Sequence, residues 1–133
     1  MTKKNKSERF LIQKRLISFR FAFNGLKNMI KNEHNSRIHL FALICVIALG
    51  ILLKIELIEW VAISIVSGLV FLTELLNTAI EKLADFVESD WNEKIGIIKD
   101  YCAGAVLISA IISVIVGGLI FIPKIIEIIK NLC

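Results

Sequence analysis

Apolar residues fall into four blocks along the chain, separated by short polar breaks, and the first block differs from the rest in its period. From Phe10 to Asn32 they recur at helical spacing: Leu16, Phe19, Phe23, Leu26 and Ile30 step by three and four, while Lys14, Lys27, Asn28 and Lys31 lie mostly off that stripe. The period predicts an amphipathic helix over 10–32. Its basic side suits a helix lying in a membrane interface; a soluble helix packed on a partner is the alternative. The polar, basic residues 1–9 ahead of it are expected to be disordered. Glu33-His34-Asn35-Ser36-Arg37 interrupts the pattern, and Ile38 to Leu53, apolar except for His39, predicts a first membrane span over 36–54. That run is slightly short for a bilayer and needs its flanks or local thinning. Lys54-Ile55-Glu56 reads as a tight turn. A second helix is expected over 58–87, with Trp60 as an interfacial anchor. Glu88 to Asp100 reads as a charged loop, and a third span is expected over 99–122, ended or bent by Pro123.

Composition turns this pattern into a class. With 56% hydrophobic residues among 133 and a mean hydropathy of +0.75, the chain carries more apolar surface than a soluble domain of its size can bury. The expected fold is an all-α integral membrane protein, a single domain over 10–133 with a surface helix and three spans. The net charge of +4 is unevenly placed: ten of the 16 basic residues precede Ile38. Such an arm favours the cytoplasmic side and anionic headgroups. The amino terminus and the Glu88–Asp100 loop are therefore expected inside, and the carboxyl terminus outside. Nucleic acid is not an expected partner, because no folded soluble module accompanies the basic arm. Cys45, Cys102 and Cys133 show no metal-ligand or redox spacing.

The segment Thr73 to Asp85 carries the chemistry. Acids within a span cost about 2.5–3.5 kcal/mol each at the centre of the membrane, so they are poor filler. At about 100° per residue, Glu74, Asn77, Glu81 and Asp85 share a stripe roughly 80° wide. With the helix entering near Trp60, Glu74 sits about 21 Å along it and Glu81 about 31 Å, at the far interface. Carboxylates there can hold Mg²⁺ with nucleotide phosphates, since this ion takes one or two carboxylates and keeps phosphate oxygens as other ligands. A deeper carboxylate can accept a proton from a lipid hydroxyl. The plain alternative is hydrogen bonding or ion pairing of these acids with Lys82, Lys99 or Arg37. Lys99-Asp100 introduces the small residues Ala103-Gly104-Ala105, which permit close helix packing. Lys99 can counter phosphate charge. No glycine-rich phosphate loop or kinase catalytic loop is present, so any ATP chemistry needs an unconventional site.

At these residues the sequence resembles the prokaryotic diacylglycerol kinase family, which includes undecaprenol kinases. The likeness rests on Glu74-Leu75-Leu76-Asn77-Thr78-Ala79-Ile80-Glu81 with Asp85, on Lys99-Asp100 followed by Ala103-Gly104-Ala105-Val106-Leu107, and on Asn32-Glu33 ahead of Arg37. It covers about Phe19 to Pro123. The resemblance implies a homotrimer in the bacterial inner membrane, with active sites at the cytoplasmic interface drawing on neighbouring subunits. It implies Glu74 as general base toward the lipid hydroxyl, with Glu33 and Glu81 as the carboxylates holding metal and ATP. Asn77 and Asp85 are implied as supporting residues. Lys99, Asp100 and the loop residues Asp90, Trp91 and Asn92 are implied as nucleotide contacts, with Lys14 a weaker one. Arg37 and Ala103 are placed beside the lipid. A histidine is common in the family where Asn92 stands. The implied reaction is ATP- and Mg²⁺-dependent phosphorylation of diacylglycerol, with undecaprenol as alternative acceptor; Glu33-His34-Asn35-Ser36-Arg37-Ile38-His39 looks more like the undecaprenol branch. A small non-catalytic exporter or assembly subunit is the reading from another class. It needs neither the acidic stripe nor Lys99-Asp100.

Overall fold

The chain is four helices in sequence, α1 (Lys3–Asn32), α2 (His34–Leu52), α3 (Leu57–Val87) and α4 (Glu93–Leu132). The computed structural model describes the backbone of residues 3–132 and the side chains of residues 17–131. α2, α3 and α4 are each long and apolar enough to cross a membrane. At ~1.5 Å per residue the 19-residue α2 is about 28 Å long, close to the hydrocarbon thickness of roughly 30 Å.

Three boundaries differ from expectation. α4 begins at Glu93 instead of residue 99, so the charged loop expected over Glu88–Asp100 is cut to residues 88–92, because Asn92 caps the helix there. α1 begins at Lys3 instead of Phe10; the Lys, Arg and Glu residues there are good helix formers with no Gly or Pro among them, so the helix propagates back through the segment expected to be disordered. α4 continues through Pro123 to Leu132 instead of ending there. Proline costs the Leu119 carbonyl its donor. Neighbouring packing holds the helix together across that gap: Phe121 is buried with Ile55 and Ile63, and Trp60 and Ile120 pack around them. One residue beyond the proline, Lys124 Nζ lies 3.0 Å from Glu59 Oε2.

α1 and α2 are separated by one extended residue, Glu33 (φ −99°, ψ 127°), whose N–H closes α1 by donating to the Met29 carbonyl at 2.9 Å. The α2–α3 turn is tight, as expected of Lys54-Ile55-Glu56. Ile55 N–H donates to the Gly50 carbonyl at 3.1 Å and Lys54 N–H to Ile51 at 3.3 Å, which is a Schellman closure. Lys54 takes the left-handed position at φ 50°, where glycine is usual. Gly50 is needed for a different reason: a Cβ there would meet the Trp60 ring at 2.8 Å and Ile55 at 3.0 Å.

α3 and α4 run antiparallel along their whole shared length. Lys99 pairs with Asp85 at one end, Thr73 and Ser109 share a hydroxyl–hydroxyl hydrogen bond of 2.9 Å midway, and Lys124 pairs with Glu59 at the other. The distribution of burial is inverted relative to a soluble protein. Leu72, Leu76, Leu83 and Ile108 face outward, whereas Ser36, Glu74, Asn77, Thr78 and Ser109 are buried between the helices. In a membrane this is the stable arrangement, because lipid solvates the leucines and each buried polar group needs a protein partner.

Candidate active site

α2, α3 and α4 enclose a groove of about 390 Å³ toward the Glu33 end of the bundle. Asn35, Ile38 and His39 of α2 form one wall, Glu74, Asn77 and Glu81 of α3 the floor, and Ala103, Val106 and Leu107 of α4 the other wall. The small Ala103 leaves room at the mouth. Glu74, Asn77 and Glu81 share the groove because their spacings of three and four bring them onto one helix face.

Within the groove the polar groups are ordered by depth. Glu74 is 2% exposed and Asn77 8%, while Glu81 is only partly buried. Ser36 of α2 is fully buried and its hydroxyl donates to Glu74 Oε1 at 3.3 Å. The other carboxylate oxygen, Oε2, is buried without a partner, as is Asn77 Oδ1. Asn77 Nδ2 donates to Glu81 Oε1 at 3.1 Å, which orients the amide so that its oxygen remains the free acceptor. Two buried acceptors thus lie at the groove floor with no protein donor, and a buried unsatisfied acceptor costs about 1–3 kcal/mol. Such a floor is suited to a ligand that brings a donor.

Two further acids, Glu33 and Asp85, are engaged with cations near the same end. Glu33 Oε1 accepts from Lys82 Nζ at 2.6 Å, linking the start of α2 to α3 one residue from Glu81. Asp85 accepts from Lys99. Of the ion pairs expected as the alternative for the acidic stripe, only that of Asp85 with Lys99 is formed; Lys82 pairs with Glu33 instead, and Glu74, Asn77 and Glu81 keep unpaired oxygen capacity facing the groove. Asp90, Trp91, Asp100 and Arg37 are exposed and contribute no groove wall. Asn92 is exposed too, and its Oδ1 accepts from the Lys94 N–H at 3.0 Å, capping α4. The side chain of Lys14 lies outside the described residues.

Among the described residues no group of three or more His, Cys, Asp or Glu gathers as a metal cage. The donors present, carboxylates at the mouth of a groove, are of the hard-oxygen type that suits Mg²⁺. Of the two carboxylates expected to hold the ion, Glu81 lines the groove, whereas Glu33 lies outside its lining and pairs with Lys82, so it would have to exchange that cation for the metal.

An acidic groove between three helices long enough to span a membrane narrows the choice of family, and comparison with known proteins supplies it. Residues 20–121 match the prokaryotic diacylglycerol kinase family. The chain belongs to that family. It is 41% identical over 113 residues to a diacylglycerol kinase of Synechocystis sp., covering 84% of this chain and 65% of that protein's length. It is 39% identical over 107 residues to an undecaprenol kinase of Bacillus subtilis, covering 80% of this chain and 87% of the relative. An Escherichia coli diacylglycerol kinase is 32% identical over 95 residues, covering 71% of this chain and 78% of that protein. These relatives are named as lipid kinases, and the kinase family implies an ATP-type phosphate donor.

In this member of the prokaryotic diacylglycerol kinase family, three features of the bundle escape a reading of the sequence. Ser36 reaches Glu74 across 38 positions, and the Thr73–Ser109 pair spans 36; no local spacing announces either. His39 stands in the sequence only as an interruption in an apolar run, yet it lines the groove. A polar residue in a span is itself the signal that can flag it.

Proposed function

We propose that this protein is a membrane lipid kinase that transfers phosphate from Mg·ATP to the primary hydroxyl of a lipid alcohol, diacylglycerol in the first instance, at the cytoplasmic interface. Undecaprenol is the second reading, favoured by the Bacillus subtilis relative of nearly equal identity. The observation that carries the proposal is Glu74: a carboxylate 2% exposed, held on one oxygen by Ser36, with its other oxygen unpartnered beneath an open groove.

In this reading the lipid hydroxyl enters between Ala103 and Asn77 and donates to Glu74 Oε2, which takes its proton as the oxygen attacks the γ-phosphorus of ATP and the bond from that phosphorus to the β,γ-bridging oxygen breaks, releasing ADP. A positioned general base of this kind contributes roughly 10²–10⁴-fold. The hydroxyl is far less acidic than a carboxyl group, so proton transfer accompanies phosphoryl transfer, as this largely positional chemistry permits. Asn77 positions Glu81, and Glu81 together with Glu33, once released from Lys82, would hold the metal ion with the nucleotide. When bound, Mg²⁺ neutralises phosphate charge. Lys99, Asp100 and residues 90–92 lie toward the same end of the bundle, where the nucleotide would sit; their side chains would have to reorient toward it. Three copies assembling as a homotrimer in the cytoplasmic membrane, with α1 along its surface, would close the open side of the groove.

The test is purified protein in vesicles with Mg·ATP and either diacylglycerol or undecaprenol, alongside Glu74→Gln. Lipid phosphorylation that falls at least 100-fold in the variant while Mg·ATP binding persists supports the reading. Wild-type protein that phosphorylates neither lipid refutes the function; turnover within a few-fold in the variant refutes the role of Glu74.

A further inference from the structure

The carboxyl-terminal turns of α4 extend past the bundle and past the family match, which stops at residue 121. Lys124 pairs with Glu59, only two residues into α3 at Leu57. Because α3 and α4 run antiparallel, residues after 126 lie beyond the start of α3 and the α2–α3 turn. The membrane span of α4 is already complete by then. From Lys99 to Lys124 the helix rises about 37 Å, more than the hydrocarbon thickness of roughly 30 Å.

The turns after Lys124 are nevertheless apolar on one side. At about 100° per residue, Ile125, Ile126, Ile128 and Ile129 cover an arc of roughly 160°. Lys124, Glu127, Lys130 and Asn131 fill the opposite arc of roughly 120°. The isoleucines remain 39–54% exposed in the protomer. Full burial of an isoleucine contributes about 1.5–3 kcal/mol, and these four, about half exposed, forgo roughly half of that each, so a projecting helix of this kind favours a cover.

We propose that the segment after Pro123 is an interfacial helix that lies on the bilayer surface opposite the acidic groove. Three features favour lipid as the cover. The apolar arc is too wide for the narrow seam of a coiled coil, but it matches a helix half-sunk in the headgroup boundary. The apolar surface is continuous with the lipid-facing flank of α4, including Ile122. Pro123 stands at the junction inside the helix, and the missing hydrogen bond to Leu119 makes this the joint at which α4 bends in the membrane. Lys124 stays tied to Glu59 and fixes where the bend begins, while Lys130 reaches the lipid phosphates. The segment thereby anchors the third span at fixed depth, whether or not the groove phosphorylates a lipid.

The experiment places single nitroxide labels at 125, 127, 128, 129 and 130, in a background with the native cysteines replaced. The full chain is reconstituted in phosphatidylcholine–phosphatidylglycerol vesicles. Accessibility to oxygen and to a soluble nickel chelate is then measured. Labels at 125, 128 and 129 should favour oxygen and those at 127 and 130 the chelate, giving a period of about 3.6 residues. Chelate access at all five sites would mean that the segment stands in water and would overturn the proposal. Spin–spin broadening at 125 and 129 with low access to both reagents would overturn it too, in favour of a second copy as the cover. Pro123→Ala should make the label at 128 at least several-fold more accessible to the chelate, because the straightened helix lifts it from the interface; no change would refute the hinge.

Discussion

Replacing Ser36 by alanine removes one hydroxyl from the centre of the bundle and tests how the groove holds its buried acid. Ser36 is fully buried and Glu74 nearly so, and the Ser36 hydroxyl donates to Glu74 Oε1. Because Oε2 has no protein partner, the substitution would leave both carboxylate oxygens without a donor. Hydrogen bonds to charged groups contribute roughly 1.5–3 kcal/mol, and the 3.3 Å separation puts this one at the weak end, about 1.5 kcal/mol. If that energy is spent on orienting Glu74 toward the lipid hydroxyl, kcat should fall about tenfold while KM for ATP stays within twofold. The fold should hold, since serine and alanine differ by a single atom. Ser36→Thr keeps the hydroxyl and should recover most of the loss. The discriminating assay is a double-mutant cycle: in a Glu74→Gln background, Ser36→Ala should cost nothing further, because the hydroxyl acts only through the carboxylate. Losses that multiply independently, or a kcat for Ser36→Ala within twofold of wild type, would refute the reasoning.

Other consequences can be checked on the same preparations. Glu33→Gln and Glu81→Gln keep size but remove the charge suited to Mg²⁺, so apparent Mg²⁺ and ATP affinities measured by titration should weaken at least several-fold; unchanged metal dependence in both would show that the nucleotide site lies elsewhere. Gly50→Ala puts a methyl group 2.8 Å from the Trp60 ring, and overpacking of this sort costs about 1–3 kcal/mol, seen as a lower midpoint of thermal denaturation in detergent. Lys54→Gly relieves a left-handed residue. The relief of roughly 1–2 kcal/mol, less a glycine entropy cost of roughly 0.5–1 kcal/mol, leaves a gain of about 0.75 kcal/mol, within a range of roughly 0–1.5 kcal/mol, and a higher midpoint in the same assay.

The division of labour between sequence and tertiary structure reflects the range of the interactions involved. Three spanning helices are legible because lipid imposes one requirement on each residue of a span, so long apolar runs with polar punctuation declare themselves. Glu74, Asn77 and Glu81 are legible as a set because helix geometry converts spacings of three and four into a shared face. Interhelical partners are not. The pairing of Glu33 with Lys82 rather than with Lys99, and of Lys99 with Asp85, depends on the antiparallel register of α3 and α4 and on how α2 docks, which no local pattern encodes. Ser36 belongs to a polar break when read along the chain; folded, it is the hydroxyl that reaches the buried acid, because α2 turns that face inward. Pro123 shows the same limit from the other side. Its local chemistry says stop, yet packing of Phe121 and the Lys124–Glu59 pair carry the helix through. Sequence alone determined which residues lipid would tolerate and which acids could act together, since both depend on one helix at a time. Which oxygen of Glu74 stays free, and where α4 outruns its neighbours, was decided only when the helices packed against one another.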